Sequence, residues 1–234
     1  MKNIILSLVL SFFCLSVFAQ REVTPVDWKK IKTLVETDAD YVKTQVAKLS
    51  AQQLDTTQTY DERIQAYYGQ SFLSNEKEKS LVDKAVKSFN DKNYQEALAQ
   101  SESALDINPL NITALRLVAY SISLMLKEGF ECKYTLDDGQ IFYYRMMRCL
   151  NTIAKTGLGT KDSPFYVTSI NDEYEFLRYY LEIWEYKSQA LVGTSVGACD
   201  KFELAESSEY YSDEEIYFEC SRVLELETLR FKQK

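Results

Sequence analysis

The sequence contains no histidine. This absence excludes the Ser-His-Asp and Cys-His catalytic sets, and it also excludes zinc or iron held by imidazole. Any catalysis would therefore depend on carboxylates, lysine, tyrosine or cysteine, or on a metal ion held by oxygen ligands. Cysteine pairs of the C-x-x-C type are also lacking, so the common zinc and redox motifs are absent.

Positive charge is scarce as well, since 27 lysines and arginines stand against 35 acidic residues and the formal net charge is −8. An acidic chain is a poor partner for the phosphates of nucleic acid and for an anionic membrane surface. No apolar run beyond the N-terminus is long enough to span a bilayer. With 46% hydrophobic residues, the chain has the composition of a folded protein with one domain or two small ones.

The first 19 residues have the three parts of a secretory signal peptide. Lys2 is the basic start, residues 4–18 form the apolar core, and Val17 and Ala19 are the small residues before the cleavage point. The core is shorter than the ~20 apolar residues of a membrane-spanning helix. The sequence therefore predicts an exported protein, periplasmic or extracellular, that is cleaved after Ala19.

Four cysteines remain after that cleavage, and they are Cys132, Cys149, Cys199 and Cys220. An even number in an exported chain permits disulfides in more than one connectivity. Their spacing is wide and irregular, and buried free thiols explain them equally well. The pattern alone leaves their state open.

The segment NDKNYQEALAQSESALDINPLN has the spacing of a tetratricopeptide repeat. Tyr94, Ala97, Ala104 and Pro109 stand at the later positions of such a repeat. At these positions small alanines let two antiparallel helices approach, and the proline ends the unit. We expect the first helix of the hairpin before residue 90 and the turn at residues 90–93.

Further helices are predicted on both sides of this repeat. The capping pattern at Thr24–Asp27 opens a helical region to about Tyr60, and a short helix follows as far as Gly69. After Pro109 a helix is expected to about Lys127, and another over residues 141–154 follows a turn at residues 137–139. These elements define a helical, tetratricopeptide-like region over residues 20–156.

The composition changes at Gly157, where glycines, a serine and a proline precede a β-prone run. A capped helix is predicted from Ser169 or Asn171, followed by several strands and a last helix or extended segment. The predicted fold class is therefore α+β, with N-terminal tetratricopeptide-like helical hairpins followed by a small, mostly antiparallel sheet. Residues 157–234 form this C-terminal region, which packs on the helices.

The alternation of the last strands predicts a register and a cysteine geometry. Matching their apolar faces places Phe202 opposite Phe218 and Asp200 opposite Cys220. In that register Cys199 points to the other side of the sheet. No disulfide is therefore predicted between Cys199 and Cys220.

Four segments resemble the family of exported proteins of Gram-negative bacteria known as domain of unknown function 4919. They are YYGQSF at Tyr67–Phe72, GLGTKDSPFYVTSINDEYEFLR at Gly157–Arg178, CDKFEL at Cys199–Leu204 and IYF at Ile216–Phe218. The sequence departs from the resemblance at Leu158, where similar proteins tend to carry an acidic residue, and this departure argues against a metal site in that loop. The resemblance implies export and a helical, repeat-like architecture, but it implies no activity.

Ser195 lies in the pattern Gly193-Thr-Ser-Val-Gly197, which matches the G-x-S-x-G elbow of serine hydrolases. That elbow requires a helix after the serine and a histidine elsewhere, whereas residues 199–205 alternate like a strand. A hairpin turn bounded by the two glycines is the preferred interpretation.

The run Gly157–Lys161 contains fragments of a phosphate-binding loop. The Walker spacing is incomplete, and the element predicted after it is a strand rather than a helix. We interpret the run as a loop between the helical region and the sheet.

Two acidic groups are candidates for chemistry. Asp172 and Glu175, with Glu173 between them, share a helical face and resemble the carboxylate pair of a glycosidase. The dipole at the start of a helix favours such acids without any function, and this is the preferred interpretation. A later run over residues 206–215 lacks the alternating ligands and central glycine of a calcium loop and is interpreted as a solvated loop.

Tyrosine doublets occur at residues 67–68, 143–144, 179–180 and 210–211. Neighbouring helical residues point in different directions, so one of each pair is expected in the core and the other at the surface. Exposed tyrosines suit protein interfaces or stacking on sugars, although core packing explains most of them.

The leading hypothesis is a non-catalytic exported protein whose helical-repeat groove binds a protein or peptide partner in the cell envelope. It assigns no catalytic, cofactor-binding or metal-binding residue, because every position that the repeat pattern fixes is a packing position. The alternative is a carboxylate-based hydrolase or glycan-binding protein of the cell envelope, with Asp172 and Glu175 as the first candidates.

Overall fold

The computed structural model of the protein describes residues 22–74 and 76–231. The predicted signal peptide, residues 1–19, lies outside them. The helical part comprises α1 (Trp28–Thr37), α2 (Ala39–Ser50), α3 (Tyr60–Leu73), α4 (Glu76–Asn90), α5 (Tyr94–Leu105), α6 (Ile112–Lys127) and α7 (Leu136–Ala154). The remaining elements are β1 (Phe165–Tyr166), α8 (Ile170–Tyr179), β2 (Tyr186–Thr194), β3 (Gly197–Leu204), β4 (Glu215–Glu219) and α9 (Ser221–Phe231). The fold is α+β, as predicted.

Helices α4 and α5 form the helical hairpin that the repeat pattern predicts. Ala97 and Ala104 are completely buried in α5, where their small side chains permit close packing. The ring of Tyr94 packs on Phe89 at the hairpin turn, with the ring centroids 5.5 Å apart. Helix α6 packs on both α4 and α5, and α7 packs on α6, so two successive hairpins lie side by side.

The predicted turn at residues 137–139 is wrong, because these residues form the first turn of α7. Thr135 caps this helix: its hydroxyl oxygen accepts from the amide of Asp138, and the Asp138 carboxylate accepts from the amide of Thr135. Gly139 is buried against Ile122 of α6. Asp138 therefore serves capping and Gly139 serves close packing here, although both residue types are typical of turns.

Helix α3 continues past Gly69, where the sequence predicted its end. An added Cβ at Gly69 would lie 2.8 Å from a methyl carbon of Val42 in α2. The glycine therefore permits the close approach of two helices and does not end one.

The sheet has the strand order β1-β4-β3-β2. β2 pairs with β3 and β3 pairs with β4 in antiparallel fashion, and the short β1 runs parallel to β4. The sheet is therefore mostly antiparallel, as predicted, with one parallel pairing at its edge.

The predicted register between β3 and β4 is wrong by two residues. Phe202 lies opposite Ile216, and Asp200 lies opposite Phe218. A shift of two residues leaves every side chain on the same face, so the apolar alternation does not distinguish the two registers. Phe202 and Phe218 still contact diagonally, with ring centroids 5.7 Å apart.

The cysteines of these strands lie on opposite faces of the sheet. Cys199 is paired with Glu219, whereas the backbone amide of Cys220 donates to the carbonyl of Ala198. Cys199 and Cys220 are both free thiols in the structure.

The C-terminal region shares one core with the helices. The hydroxyl of Tyr68 in α3 donates to the carbonyl of Tyr166 in β1 over 2.7 Å. The indole of Trp28 in α1 donates to the buried carboxylate of Glu219 in β4 over 2.9 Å. None of the helices within the described residues is long and apolar enough to cross a membrane.

Candidate functional site

Ser195 is exposed in the hairpin turn between β2 and β3, and Thr194 is paired with Gly197 across that turn. The hydroxyl of Thr194 donates to the carbonyl of Gly197, whose φ is +142°. A strand follows Ser195, so the structure has the predicted turn in place of a nucleophile elbow.

The loop at Gly157–Lys161 is tied to the sheet by its own backbone. The amide of Leu158 donates to Ser163, and the carbonyl of Gly159 accepts from the amide of Tyr217 and the hydroxyl of Tyr211. These bonds fix the loop against β4, which supports its interpretation as a connection between the two regions.

The two candidate carboxylates of α8 have separate partners. Asp172 caps the helix, because its Oδ2 atom accepts from the amides of Thr168 and Ser169 and from the Thr168 hydroxyl. Glu175 binds Arg116 of α6 at 2.8 Å. Both acids thus stabilise local structure, and they do not share one bound position as a glycosidase pair would.

Glu173 is completely buried beneath the sheet, facing β2 and β3. Burial, reinforced by the neighbouring Asp200 carboxylate, raises the pKa of Glu173 to about 10. The amide of Gln189 in β2 donates to Asp200 at 3.1 Å and approaches Glu173 at 3.5 Å. A neutral Glu173 is therefore part of the core at neutral pH.

The acidic run over residues 206–215 lies mostly in the exposed loop between β3 and β4. Within residues 22–74 and 76–231, no group of three or more acidic or cysteine side chains is arranged to hold a metal ion.

The tyrosine doublets divide differently from the prediction. Tyr210 is exposed while Tyr211 is buried, as expected for a split pair. The doublet at residues 67–68 is buried entirely, and the doublet at residues 143–144 is exposed entirely. Packing of the surrounding helices, rather than the 100° step between neighbours, decides which ring enters the core.

A cleft of about 330 Å³ lies beside the first helical hairpin. Its walls come from α3, α4 and α9, from the start of α6, and from the segments at residues 108–111 and 168–172. Of the three candidate acids of α8, only Asp172 lines the cleft within the part of the chain that the structure describes. Distant segments of the chain therefore build this site.

Glu78 of α4 is the second buried carboxylate of the cleft. Its Oε1 atom accepts from the amides of Asn108 at 2.8 Å and Asn111 at 2.7 Å. Burial raises the pKa of Glu78, and the charge of Asp172 raises it further, although the two amide bonds oppose this shift. Burial also raises the pKa of Asp172, against the effect of its hydrogen bonds. The cleft thus holds two carboxyl groups whose charged forms are disfavoured by burial.

Thr113 also lines the cleft, and its hydroxyl is unpartnered. It stands in the first turn of α6, after the N-cap Asn111, and it is only 2% exposed. Its Oγ1 atom has no hydrogen-bond partner, although buried hydroxyls nearly always have one. The Oγ1 atom itself is almost completely inaccessible, so this hydroxyl belongs to the wall of the cleft and not to its open surface.

Carboxylates dominate the charged lining of the cleft. Glu78 and Asp172 are joined by the side chains of Glu76, Asp83 and Glu227, and Lys79 is the single cation among the described lining residues. The Lys79 ammonium lies 2.7 Å from Asp83. The cleft is therefore suited to a cationic ligand.

Sequence reasoning found Asp172 but missed Glu78 and Thr113. Glu78 stands in the charged run NEKEKS and gives no signal of burial. Thr113 stands in NITAL, which indicates a helix start and nothing more. No spacing rule connects residues that only the packing of α4, α6 and α8 brings together.

The sequence model of the family described as "Domain of unknown function (DUF4919)" matches residues 29–228. The match includes every residue of the cleft. No curated protein and no solved structure matches the chain. Since the family description names no activity, the geometry of the cleft is the basis for a functional proposal.

Proposed function

The chain belongs to the DUF4919 family, and we propose that it is a non-catalytic exported protein that binds a protein or peptide partner in the cell envelope. The binding site is the cleft beside the first helical hairpin. The single observation that carries this proposal is the acidic lining of that cleft, in which the carboxylates of Glu78 and Asp172 are both buried.

The position of the cleft supports the proposal. Helices α4 and α6 are the first helices of successive hairpins and pack side by side. Helical-repeat proteins present ligands to the concave surface that such helices line. Part of this surface is covered by α8 of the same chain, through the ion pair between Arg116 and Glu175. The uncovered part is the cleft, which admits a short segment or a single side chain.

Export is part of the proposal and rests on the pattern of residues 1–19. A basic start, a short apolar core and small residues before Gln20 are together typical of a cleaved signal peptide. Detection of a mature N-terminus at Gln20 in the periplasm or the medium tests this part.

Site-specific photo-crosslinking tests the binding site. Asn171 is exposed and lines the cleft, whereas Gln140 is exposed on α7 and lies outside it. A photoreactive phenylalanine analogue at each position is irradiated with a cell-envelope extract from the source organism. We expect a cross-linked polypeptide from position 171 and none from position 140. Equal products from both positions, or none from either, would overturn the proposal.

A second candidate function, glycan binding, is favoured by a different surface. Trp184 and Tyr144 are more than half exposed, and Trp184 stacks edge-on against Tyr179 with ring centroids 5.8 Å apart. Tyr179 in turn contacts Tyr120, with ring centroids 5.9 Å apart. Exposed aromatic rings of this kind suit sugar stacking.

A carbohydrate panel distinguishes this candidate from the first. Binding of a polysaccharide that is lost in Trp184→Ala, together with no cross-link from position 171, would favour a glycan-binding protein. Hydrolysis of that polysaccharide that is lost in Asp172→Asn would favour the carboxylate-based hydrolase instead.

A further inference from the structure

We propose that the free edge of β2 is a self-association surface, at which a second copy of this chain adds its own β2 in antiparallel orientation. None of the described residues of β2 lines the cleft, so this surface goes beyond the proposed function. Three features carry the proposal: unpaired backbone groups along a long edge strand, an uncharged and partly apolar sequence at that edge, and a midpoint about which the strand is complementary to itself.

Strand β2 is the long edge of the sheet. It has nine residues, whereas β1 at the opposite edge has two. Among the strands that the structure describes, only β3 pairs with β2. Most of β2 is exposed, and an added Cβ at Gly193 would meet nothing within 4 Å. A long edge strand without cover presents its backbone donors and acceptors to solvent.

The hydrogen bonds of β3 alternate between its two neighbours. The carbonyl of Ala198 accepts from the amide of Cys220. The amide of Leu204 donates to the carbonyl of Glu214, again on the side of β4. In an antiparallel sheet, successive residues of a strand bond to opposite sides. The even-numbered residues of β3 therefore bond toward β4, and its odd-numbered residues bond toward β2.

The same alternation identifies the free backbone groups of β2. The odd-numbered residues of β3 lie opposite the even-numbered residues of β2 over the range 190–194. These even-numbered residues of β2 therefore bond to β3. The odd-numbered residues Gln189, Leu191 and Gly193 consequently direct their amides and carbonyls away from β3, to the free edge.

The sequence of this edge lacks the usual protection against strand pairing. Residues 188–194 contain no charged residue and no proline, and residues 190–192 at their centre are apolar. Lys187 and the shift of register beside it protect only the start of β2. Leu191 is 58% exposed. Since edge strands that stay unpaired are normally interrupted by charges, prolines or bulges, this part of β2 is suited to receive another strand.

A second copy of β2 fits this edge about a two-fold axis at Leu191. Leu191 is the midpoint of residues 188–194, so antiparallel pairing about this point places it opposite the same residue of the second copy. Gln189 then lies opposite Gly193 of the second copy. All three residues with free backbone groups form bonded pairs in this register, which gives about six hydrogen bonds between the copies.

The side chains that meet across this axis are compatible. Ala190 lies opposite Val192 of the second copy, so small apolar groups face each other. Lys187, the one charged residue of β2, lies opposite Ser195 of the second copy. The pairing thus brings no like charges together, whereas the formal net charge of −8 opposes contacts between charged surfaces of two copies. A two-fold contact of one patch with itself is the commonest form of homodimer.

Sedimentation velocity of the purified protein tests self-association. We expect a monomer at about 1 μM and a dimer at about 1 mM, because one strand pair buries less surface than a standard stable interface. Leu191→Lys places two ammonium groups side by side on the axis and should weaken association at least about tenfold. Leu136→Lys makes the same change at the start of α7, at a leucine that is also 58% exposed, and should leave association unchanged. A monomer at every concentration would overturn the proposal.

Hydrogen exchange distinguishes strand pairing from other contacts between copies. Exchange is carried out at each end of the concentration range, quenched, and read at single residues by mass spectrometry. The amides of Gln189, Leu191 and Gly193 should become protected only at the high concentration. The amides of residues 190 and 192, which bond to β3, should be protected at both. A dimer in which the three odd-numbered amides stay unprotected would refute the assignment of this edge.

Addition of a cell-envelope extract from the source organism separates a second copy from a foreign strand. Protection of the same three amides in a protein that stays monomeric without the extract would assign the edge to a strand of another protein, and it would refute the second copy. The cleft takes no part in these measurements. A failed cross-link from position 171 would therefore overturn the proposed function and leave this inference in place.

Discussion

The Nε atom of Arg116 lies 2.8 Å from both carboxylate oxygens of Glu175. Arg116 belongs to α6 and Glu175 to α8, and both side chains are largely buried. The guanidinium also lies over the rings of Phe89 and Tyr179. This pair therefore attaches the C-terminal region to the face of the helical hairpins.

Glu175→Gln should lower the free energy of unfolding by about 3 kcal/mol, because it leaves the largely buried guanidinium of Arg116 without a counter-ion. Urea unfolding followed by circular dichroism measures the change. The double variant Arg116→Met/Glu175→Leu should recover most of the loss, since both charges are then removed and replaced by apolar groups. A stability change below about 0.5 kcal/mol in the single variant would contradict this account of the pair.

Glu173→Gln should stabilise the protein increasingly as the pH rises. The pKa of Glu173 is raised to about 10, so the folded state keeps a proton that the unfolded chain releases near the ordinary glutamate pKa. In the wild type, the contribution of Glu173 to the free energy of unfolding is therefore at its maximum below that ordinary pKa. It falls by about 1.4 kcal/mol per pH unit until the pH reaches the folded pKa. A glutamine has no proton to lose and removes this dependence.

Urea unfolding of both proteins at about pH 5 and about pH 8 measures the difference. The two free energies should nearly coincide at the lower pH and separate at the higher pH. Glu209→Gln, which changes an exposed carboxylate in the loop between β3 and β4, is the control and should follow the wild type. Parallel curves for Glu173→Gln and the wild type would show that Glu173 is charged in the folded protein.

Local sequence signals predicted the elements whose cause is local. The spacing of Tyr94, Ala97 and Ala104 predicts the hairpin of α4 and α5, because small side chains at these positions allow two antiparallel helices to pack closely. The glycines on either side of Ser195 predict a hairpin turn between two strands, because glycine adopts the backbone conformations that tight hairpin turns require. Both predictions depend on residues that lie within one or two elements.

Features that depend on tertiary packing were not predictable in the same way. The register of Phe202 differs by two residues from the predicted one, because alternation fixes only which face a side chain occupies. Glu78 and Asp172 meet in the cleft although the helical region and the C-terminal region supply one each. The partner of Glu173, which is Asp200, likewise comes from a strand that only the folded sheet brings near.

Alkylation of the native protein should modify Cys132 before Cys149. Cys149 is completely buried in α7, and burial raises its pKa to about 12, so the reactive thiolate is nearly absent at about pH 8. Cys132 is partly exposed. Mass spectrometry after timed treatment with iodoacetamide follows each site, and labelling in denaturant gives the reference for complete reaction. Equal rates at the two cysteines in the native protein would contradict the burial of Cys149.

Gly157→Ala should lower the free energy of unfolding by at least about 3 kcal/mol. A Cβ atom at this position would lie 1.9 Å from the carbonyl oxygen of Pro164, and backbone on both sides of that contact must move to relieve it. The substitution thus tests whether the glycine is required for packing of the loop, as the interpretation of this run as a structural connection implies. Gly193→Ala is the matched control, because an added Cβ there meets nothing within 4 Å.

The control should raise the free energy of unfolding by about 0.5 kcal/mol, since alanine restricts the unfolded chain and fits an unobstructed strand position. Thermal and urea unfolding of the two variants beside the wild type give the comparison. If both variants were equally stable, the contact between residue 157 and Pro164 would not constrain the loop, and its glycine would have to be explained by a ligand. If Gly157→Ala alone unfolds early, packing against Pro164 accounts for this glycine without any bound phosphate.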